Sequence, residues 1–387
     1  MKIAVISHLY PNRRFPAKGT FVRSQYRNIA RHLPAQMIVP TVYSIPFTDK
    51  WKYTHAPFLT AQEATRIRYL SFPGGTFPRI IKSSLSRTLA SEMSKVAPDL
   101  AHVHWLFPDG LAIPEIKSLG IPCVLSIHGS DWYATRDIPV LKQLLRESLV
   151  QTDAVLTVGQ KLKTDILRDY PDLEKKIHVT YNPVDFNAFH PAASREEALG
   201  KVGWQPEVKH ILCVANITPV KGVDILINAF KKLARQDAVL HIIGNVPDMA
   251  YSRQVTREIR TTRNIKLHAP VSHEEMATYY QACDFLVLPS RREGFGLSLA
   301  EAIACGKPVI STKSGGPEDI VSPQNGYLVE PEDADALADK MELLLSDRFD
   351  HNSKAIRASI RERFDSAAIT DKMIALYKTV LNNQSRS

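Results

Sequence analysis

Two glutamates eight residues apart, Glu293 and Glu301, constrain this chain more than any other feature of its sequence. The apolar run 285–289 predicts a buried parallel strand, and the run 297–305 predicts an apolar helix that Gly306 ends. Glu293 then lies in the turn beyond the strand, and Glu301 lies more than one turn into the helix. The N–H groups that begin such a helix bind anions. The spacing therefore suits a ligand with a central phosphate and hydroxyls at both ends, as in a nucleotide-sugar.

By itself, this pattern is more often a strand, a turn and a helix with two solvated glutamates. The whole string from Ser290 to Glu301, however, resembles the signature of the family 4 retaining glycosyltransferases, which have the GT-B fold. The resemblance extends over nearly the whole chain and is strongest over residues 210–330. It implies an α/β, GT-B architecture of two doubly wound Rossmann-like domains facing across a cleft. It also implies a hexosyltransferase (EC 2.4) that moves a sugar from a nucleoside-diphosphate sugar to a hydroxyl.

Short apolar runs alternate with helical stretches along the chain, which predicts parallel sheets with crossover helices. A polar segment at residues 191–197 reads as a linker between two such units. We therefore expect an acceptor-side domain over residues 1–190 and a nucleotide-sugar domain over 200–365. The resemblance implies that a helix within 366–387 packs back on the first domain. The expected strands are 3–7, 37–43, 67–72, 100–104, 123–128, 154–158, 177–181, 210–215, 238–244, 265–269, 285–289, 308–312 and 327–329.

A phosphate-binding segment is expected at residues 214–222, where Lys221 stands between a strand and a helix. A Lys–Gly pair at a helix start is a weak signal, but this segment also resembles the phosphate-binding segment of the family. The family commonly has arginine where this chain has Asn216. One fixed positive charge then stands where two are expected, and Arg291 or Arg292 is a candidate for the second.

The resemblance also assigns roles to individual side chains. His128, which closes the strand 123–127, is placed beside the reacting sugar, although such a histidine is more often a near-core residue. Glu293 would hold the sugar hydroxyls and Glu301 the ribose hydroxyls. Gly19, in the loop before the first helix, would allow close approach of a phosphate or acceptor. The expected catalytic residues are His128, Lys221 and Glu293; the expected donor-binding residues are Gly19, Asn216, Lys221, Gly294, Phe295, Gly296, Leu297, Ser298 and Glu301.

Several features imitate metal sites or disulfides. His102 and His104 have the spacing of a metal clip but lack neighbouring carboxylates or thiols, so we interpret them as strand structure. Asp333 precedes a helical run and is better explained as an N-cap than as a metal ligand. The Gly-rich segment 312–318 is expected near the donor, with Glu318 in a structural role. The four cysteines are expected to be reduced core thiols of a cytoplasmic protein, and we expect neither a metal nor another cofactor.

The positive charge is concentrated in the first quarter of the chain. Residues 1–100 carry 15 Lys and Arg against 4 Asp and Glu, whereas the remainder carries 34 against 36. No nucleic-acid motif accompanies this charge, so nucleic acid is not expected as a partner. An anionic membrane surface is the alternative, because each basic residue near it contributes about 1 kcal/mol. Segment 79–89 places apolar and basic residues on partly separate faces, although an ordinary solvated helix would do the same.

The expected partners are thus a nucleotide-sugar donor, a glycan or lipid-linked acceptor, and the inner face of the cell membrane. No apolar run is long enough to span a membrane, and the N-terminus reads as a strand, not as a signal peptide. Residues 44–63 are a candidate acceptor-side loop. The loop 8–22 resembles those of bacterial enzymes of cell-wall and capsular polymers, including the teichuronic-acid type.

Two other functions fit the same architecture. A nucleotide-sugar epimerase would alter the sugar without an acceptor, and a non-catalytic sugar-nucleotide-binding partner would explain Asn216. A nicotinamide dehydrogenase is poorly supported, because no strand is followed by the Gly-rich dinucleotide fingerprint.

Overall fold

The computed structural model describes residues 1–16, 18–43, 56–59, 63–72, 77–233, 235–247, 249–346, 348–349 and 352–384. The chain divides into two compact units. The first comprises Met1–Pro183 together with Ser366–Ser387, and the second comprises Val184–Asp365.

The described part of the first unit forms a seven-stranded parallel sheet in the order β3-β2-β1-β4-β5-β6-β7. Its central strands are mostly apolar and are buried along their whole length, as expected for strands covered on both faces. The strands are β1 (Ile3–Ile6), β2 (Ala35–Val42), β3 (Thr65–Tyr69), β4 (Leu100–His104), β5 (Cys123–Ile127), β6 (Ala154–Thr157) and β7 (Ile177–Val179). The helices are α1 (Thr20–Ala30), α2 (Pro78–Val96), α3 (Ile113–Ser118), α4 (Ser130–Tyr133), α5 (Pro139–Gln151) and α6 (Gln160–Asp169).

The second unit contains a six-stranded parallel sheet, again within the described residues, in the order β10-β9-β8-β11-β12-β13. Its strands are β8 (Lys209–Val214), β9 (Ala238–Ile243), β10 (Ile265–His268), β11 (Phe285–Leu288), β12 (Val309–Thr312) and β13 (Gly326–Val329). The helices are α7 (Arg195–Val202), α8 (Val223–Leu233), α9 (Ala250–Thr261), α10 (His273–Ala282), α11 (Leu297–Ala304), α12 (Ala334–Leu345) and α13 (Ser353–Phe364). Every predicted strand overlaps an observed one, and the predicted α/β class with two doubly wound parallel sheets is confirmed.

Strand order reverses once in each sheet, between β1 and β4 in the first unit and between β8 and β11 in the second. In open α/β sheets, ligands bind beyond the carboxyl ends of the strands at such a reversal. These two places are therefore where functional side chains are expected.

The expected linker at residues 191–197 does not lie between the units. It lies inside the second unit, where Ser194 accepts a hydrogen bond from the Glu197 N–H and caps α7. The guanidinium of Arg357 also donates to the carbonyls of Phe186 and Phe189, each at 2.6 Å. These bonds tie the residues just before the segment to α13. The polar composition of the segment reflects an exposed turn before a capped helix.

The last helix, α14 (Ser366–Gln384), belongs to the first unit and packs against α1. Its Tyr377 is fully buried, and the hydroxyl lies 2.6 Å from Nδ1 of His102. The other ring nitrogen of His102 lies 2.7 Å from the Ser126 hydroxyl. Both nitrogens of His102 are thus used within the core, which confirms its structural interpretation.

Three smaller predictions can also be compared with the structure. The Asp333 carboxylate accepts a hydrogen bond from Ala336 N–H at 2.8 Å, so its N-cap role is confirmed. All four cysteines lie in described segments and are buried and free, as expected. Most of the candidate loop at 44–63 lies outside the described residues. Across the described ranges, the helices are too short or too polar to cross a membrane.

Candidate active site

The reversal between β8 and β11 brings together two of the predicted site residues. Lys221 ends a short 3-10 turn (Pro219–Lys221) after β8, and Glu293 lies in the turn after β11. The Lys221 Nζ is 2.5 Å from the Glu293 Oε2, and 28% and 12% of the two side chains remain exposed. A cation and a carboxylate therefore share the mouth of the sheet, where each can reach a ligand.

The turn that carries Lys221 is fixed by close backbone contacts. Gly222 has φ +63°, and a Cβ atom there would lie 2.1 Å from the carbonyl oxygen of Pro289. Only glycine tolerates both conditions. The N–H of Arg291 donates to the Val220 carbonyl at 2.8 Å, which ties the same turn to the segment that holds Glu293. The position of the lysine is therefore determined by the backbones of both strands.

The backbone of Glu293 pairs with the Gly-rich segment 312–318. Its N–H donates to Ser314 at 3.0 Å, and its carbonyl accepts from Gly316 at 2.9 Å. A Cβ atom on Gly316 would lie 2.3 Å from the Cα of Phe295, so this close packing requires glycine. The Glu318 carboxylate accepts from Gly315 N–H at 2.8 Å, which is the structural role expected for it.

Helix α11 begins directly after this pairing. Gly296 precedes it with φ +97°, and the first N–H groups of any helix, here those of Leu297 and Ser298, have no acceptor within it. The Phe295 side chain packs edge-on against Phe364 in the core, with ring centroids 5.5 Å apart. Phe295 was expected to bind the donor; its buried ring leaves only its backbone for that purpose.

The Glu301 side chain points into the protein toward α10. It is buried, its Oε2 accepts a hydrogen bond from the Tyr280 hydroxyl at 2.7 Å, and its Oε1 lies 3.6 Å from Nδ1 of His273. Burial raises the pKa of Glu301, whereas the His273 charge and the Tyr280 hydroxyl lower it. Sequence reasoning missed Tyr280 and His273. The two residues are seven apart in α10, which begins after the Ser272 cap, so they lie on one face of that helix.

The missing arginine at position 216 is not replaced by Arg291. The Asn216 side chain accepts a hydrogen bond from the Asn245 amide at 2.9 Å. Arg291 donates to Asp224 at 2.8 Å, to Glu332, and to the Pro219 carbonyl at 2.6 Å. The hydrogen bonds that Arg291 donates to Asp224 and Glu332 raise its pKa. Its guanidinium therefore holds the Lys221 turn against α8 and is not directed at a phosphate.

His128 lies in the first unit, directly after β5. Its Nε2 is 3.1 Å from Nδ1 of His104, and its ring contacts Trp105 and Phe21 with centroids 4.4 and 4.9 Å apart. Burial lowers the pKa of His128 to about 3, with smaller contributions from neighbouring histidines. Its backbone N–H donates to Asp131, whose pKa burial raises to about 6. A pKa this low leaves the His128 imidazole uncharged at neutral pH.

Gly19 also lies in the first unit, at the start of α1. It has φ +70°, and a Cβ atom there would lie 2.4 Å from the carbonyl oxygen of Leu9. The packing of the chain on itself is therefore sufficient to require glycine here. The structure places Gly19 and His128 in one unit and all other predicted site residues, listed from Asn216 to Glu301, in the other.

Models of known protein families match most of the chain. The family model described as Glycosyl transferases group 1 matches residues 194–363, and the model described as Glycosyltransferase Family 4 matches residues 22–188. The N-acetyl-alpha-D-glucosaminyl L-malate synthase of Bacillus anthracis is 29% identical over 76% of this chain and 79% of its own length. An uncharacterized glycosyltransferase of Methanocaldococcus jannaschii is 31% identical over 68% of each chain.

Two solved structures share the fold over nearly the whole length. Sucrose-phosphate synthase from Thermosynechococcus elongatus superposes with a TM-score of 0.80 at 20% identity, covering 99% of this chain and 100% of that one. Anabaena HepE in complex with UDP-glucose superposes with a TM-score of 0.77 at 18% identity, covering 98% and 100%. The two parallel sheets are those of the GT-B fold. This chain belongs to the family 4 glycosyltransferases and is a glycosyltransferase of that fold.

Proposed function

We propose that this enzyme transfers a sugar from a nucleoside-diphosphate sugar to an acceptor hydroxyl, with retention of configuration at the anomeric carbon. The observation that carries the proposal is the Lys221–Glu293 pair, 2.5 Å apart at the strand reversal of the second unit and next to the start of α11. The structural neighbour HepE was solved with UDP-glucose, which supports a nucleotide-sugar donor here.

The difficult event in such a reaction is departure of an anionic diphosphate from the sugar. Groups placed where this charge develops lower the barrier most, because they need no rearrangement during the reaction. Lys221 and the N–H groups of Leu297 and Ser298 are suited to this role. The bond from the anomeric carbon to phosphate breaks, the bond to the acceptor oxygen forms on the same face, and the departing phosphate oxygen takes the acceptor's proton.

The two glutamates would bind the ends of the donor. Glu293 would accept hydrogen bonds from the sugar hydroxyls, and Glu301 would accept them from the ribose. Because Tyr280 already donates to one oxygen of Glu301 and His273 lies beside the other, both orient this carboxylate.

Substitution of Glu301 by alanine is expected to weaken binding of the nucleoside diphosphate by about 10- to 100-fold. The reason is the loss of a charge-assisted hydrogen bond worth about 1.5–3 kcal/mol. Tyr280→Phe keeps the carboxylate but removes its orienting hydroxyl, so a smaller loss of about 3- to 10-fold is expected. Titration calorimetry measures both dissociation constants, with exposed Glu362→Ala of the same unit as control. An unchanged dissociation constant for Glu301→Ala would exclude the ribose role.

A thermal-shift panel of nucleoside diphosphates and their sugars tests the donor directly. A ligand at 100 times its Kd stabilises the folded state by about 2.7 kcal/mol, so the cognate base and sugar raise Tm clearly. Incubation of that donor with enzyme alone separates the rivals: an epimerase changes the sugar, whereas a transferase needs an acceptor. If no nucleotide or nucleotide-sugar raises Tm, the proposed function is wrong.

We further propose that the acceptor is a glycan or lipid-linked glycan of bacterial surface polysaccharide synthesis, and that the first unit contacts the membrane's inner face. The start of helix α2 supports membrane contact. The helix buries Ile81, Leu85 and Leu89, whereas Ile80 (46%) beside Arg79 and the preceding residue Phe77 (62%) are exposed. A cavity of about 560 Å³ next to this face is lined by Arg79, Lys82, Ser83, Arg87, Glu115 and Gln143. Exposed apolar and cationic side chains on one helix complement an anionic bilayer.

Co-sedimentation with vesicles tests this contact. We expect binding to phosphatidylcholine vesicles that contain phosphatidylglycerol, little binding to phosphatidylcholine alone, and loss of binding at high salt. Substitution of Arg79 and Arg87 together by glutamine should weaken binding by about 30-fold, from about 1 kcal/mol per charge. Lys372→Gln with Lys378→Gln, on the exposed side of α14, is the matched control. An equal loss in both double variants would mean that total charge, and not α2, decides binding.

A further inference from the structure

The guanidinium of Arg291 uses each of its N–H groups in a hydrogen bond. An arginine side chain carries five such donors in one plane. Nη1 donates to the Pro219 carbonyl at 2.6 Å and to Oδ1 of Asp224 at 3.0 Å. Nη2 donates to Oδ2 of Asp224 at 2.8 Å and to Oε2 of Glu332 at 3.1 Å, and Nε donates to Oε1 of Glu332. The donor capacity of the side chain is therefore used within the protein, and only 29% of it is exposed.

These bonds join segments that are far apart in the chain. Pro219 belongs to the 3-10 turn that ends at Lys221. Asp224 lies in the first turn of α8, and Glu332 lies between β13 and α12. The backbone of Glu332 has φ +67°, which is uncommon for a residue other than glycine and persists only where the surrounding structure enforces it. Arg291 thus connects the turn of Lys221 to a helix and to a segment in an enforced conformation.

Asp224 is held in place from a second side as well. The Tyr251 hydroxyl, on α9, donates to Oδ1 of Asp224 at 2.6 Å, and the backbone N–H of Asp224 donates to the same hydroxyl at 3.3 Å. Burial opposes ionisation of Asp224, but the hydrogen bonds from Arg291 and Tyr251 lower its pKa below the usual value. The guanidinium therefore binds an ionised and immobilised carboxylate, and such charge-assisted bonds are stronger than bonds between neutral groups.

The backbone of Arg291 contacts the same turn as its side chain. Its N–H donates to the Val220 carbonyl at 2.8 Å, so the consecutive carbonyls of Pro219 and Val220 both accept from one arginine. Lys221 follows directly and reaches Glu293 from this turn. A misplacement of about 1 Å in a group that acts on the transition state can cost about 100-fold in rate. Loss of an anchor of this turn should therefore be felt in catalysis.

We propose that Arg291 is a positioning residue, whose guanidinium fixes the turn from which Lys221 reaches the diphosphate of the donor. This rests on the proposed function, in which Lys221 stabilises the leaving group. The role requires the planar fork of arginine, because the single ammonium group of a lysine cannot reach Asp224, Glu332 and the Pro219 carbonyl at once. Arg291 acts through Lys221 and touches neither donor nor acceptor.

Substitution of Arg291 by lysine tests this role in two backgrounds, the wild type and Lys221→Ala. The donor is the nucleotide-sugar identified by thermal shift, and the rate is the release of nucleoside diphosphate with water as acceptor. Arg291→Lys should lower kcat about tenfold, with the donor KM within about threefold of wild type. In the Lys221→Ala background it should lower kcat by about twofold at most, because the lysine that Arg291 positions is absent. Equal losses of kcat in both backgrounds, or no loss in the wild type, overturn the proposal.

Arg235→Lys is the matched control. Arg235 also donates to two carboxylates, those of Asp237 and Glu342, and is 26% exposed. It lies just before β9, at the opposite edge of the same sheet. Its substitution should leave kcat close to that of the wild type. A loss of kcat as large as that of Arg291→Lys would overturn the proposal, because it would reflect stability and not the position of Lys221.

Amide hydrogen exchange gives a reading that needs neither donor nor acceptor. The Lys221 N–H donates to the Thr218 carbonyl at 3.0 Å within the turn. Arg291→Lys should raise the exchange rate of this N–H about tenfold, whereas Arg235→Lys should leave it unchanged. An unaltered rate in Arg291→Lys overturns the proposal.

A second variant serves if Arg291→Lys does not fold. Asp224→Asn keeps the shape of the main acceptor but removes its charge, so it should change kcat and exchange in the same direction and to a smaller extent. It then replaces Arg291→Lys in both measurements, and the absence of either change overturns the proposal. Failure of the proposed function is seen separately, as a wild-type protein whose Tm no nucleotide-sugar raises.

Discussion

Substitution of Lys221 by alanine is expected to lower kcat by about 10²- to 10³-fold, the usual cost of removing one preorganised donor to a developing anion. The effect should be large because Asn216 is uncharged and the guanidinium of Arg291 is bound by Asp224 and Glu332, so neither of these side chains supplements the charge of Lys221. The loss should fall mainly on kcat, since the charge on the diphosphate increases as the bond to the sugar breaks.

The design of this test follows from the 2.5 Å contact between Lys221 and Glu293. Removal of the lysine also leaves Glu293 without its cation, so Glu293→Gln and the double variant are needed to separate the two effects. Lys231→Ala is the control, because Lys231 lies on the following helix in an exposed ion pair with Glu258. Turnover of Lys221→Ala close to wild type would show that the leaving group is stabilised elsewhere.

Lowering the pH from 7 to 5 is expected to destabilise the folded chain by several kcal/mol. Burial lowers the pKa of His102 to about 3 and that of His241 to about 2, and it holds the pKa of His104 well below the ordinary 6.5. A histidine whose pKa is depressed in the folded state makes its full contribution to stability above the pKa of the unfolded state. As the pH falls below that value, the contribution is lost. Each contributes about 2 kcal/mol of loss between pH 7 and 5 by proton linkage.

Groups with a raised pKa act in the opposite direction. The buried carboxyls of Asp131 and Glu301 bind protons more readily in the folded state than in the unfolded state. Their protonation therefore stabilises the fold as the pH falls and offsets part of the loss from the histidines. The net loss in the free energy of unfolding is still a sizeable share of the 5–15 kcal/mol by which a typical domain is stable. Because acid acts on histidines of both units, both should unfold at lower temperature at pH 5.

The hydrogen-bond chain around His241 explains why it resists protonation. Nε2 of His210 lies 2.7 Å from the Gln205 carbonyl, which can only accept, so Nδ1 of His210 must accept in turn. His241 therefore donates from Nε2 at 3.0 Å and accepts at Nδ1 from His268 at 2.9 Å. A proton added to Nδ1 of His241 would oppose the N–H of His268. Trp204, with its ring centroid 3.7 Å from that of His241, shields the ring from water.

Thermal unfolding measured between pH 5 and 7 checks this prediction. His241→Gln should lower the free energy of unfolding at pH 7. It should also reduce the change in that free energy between pH 7 and pH 5 by about 2 kcal/mol. His32→Gln, at an exposed histidine, should leave both unchanged. A Tm that does not vary with pH over this range would contradict the assignment of these histidines as neutral.

The sequence was most informative where a residue's position follows from its own strand. Apolar runs with turn residues between them located the strands, and the family resemblance assigned Lys221 and Glu293 to the same donor site. What it missed were pairs that only the folded topology brings together. His8 and Asp109 are 101 residues apart, and neither carries a local signal of its partner. The role of Arg291 was missed for the same reason, because Asp224 lies 67 residues before it.

The return of the chain to the first unit in α14 has a consequence for how the protein can be divided. The second unit is one continuous segment, and its two ends meet: the Val184 N–H donates to the Phe364 carbonyl at 2.8 Å. A gene fragment for residues 184–365 therefore encodes a self-contained sheet with adjacent termini, suited to separate expression or to cyclisation. The first unit has no such fragment, because shortening the polypeptide from its carboxyl end removes Tyr377 from the core around His102.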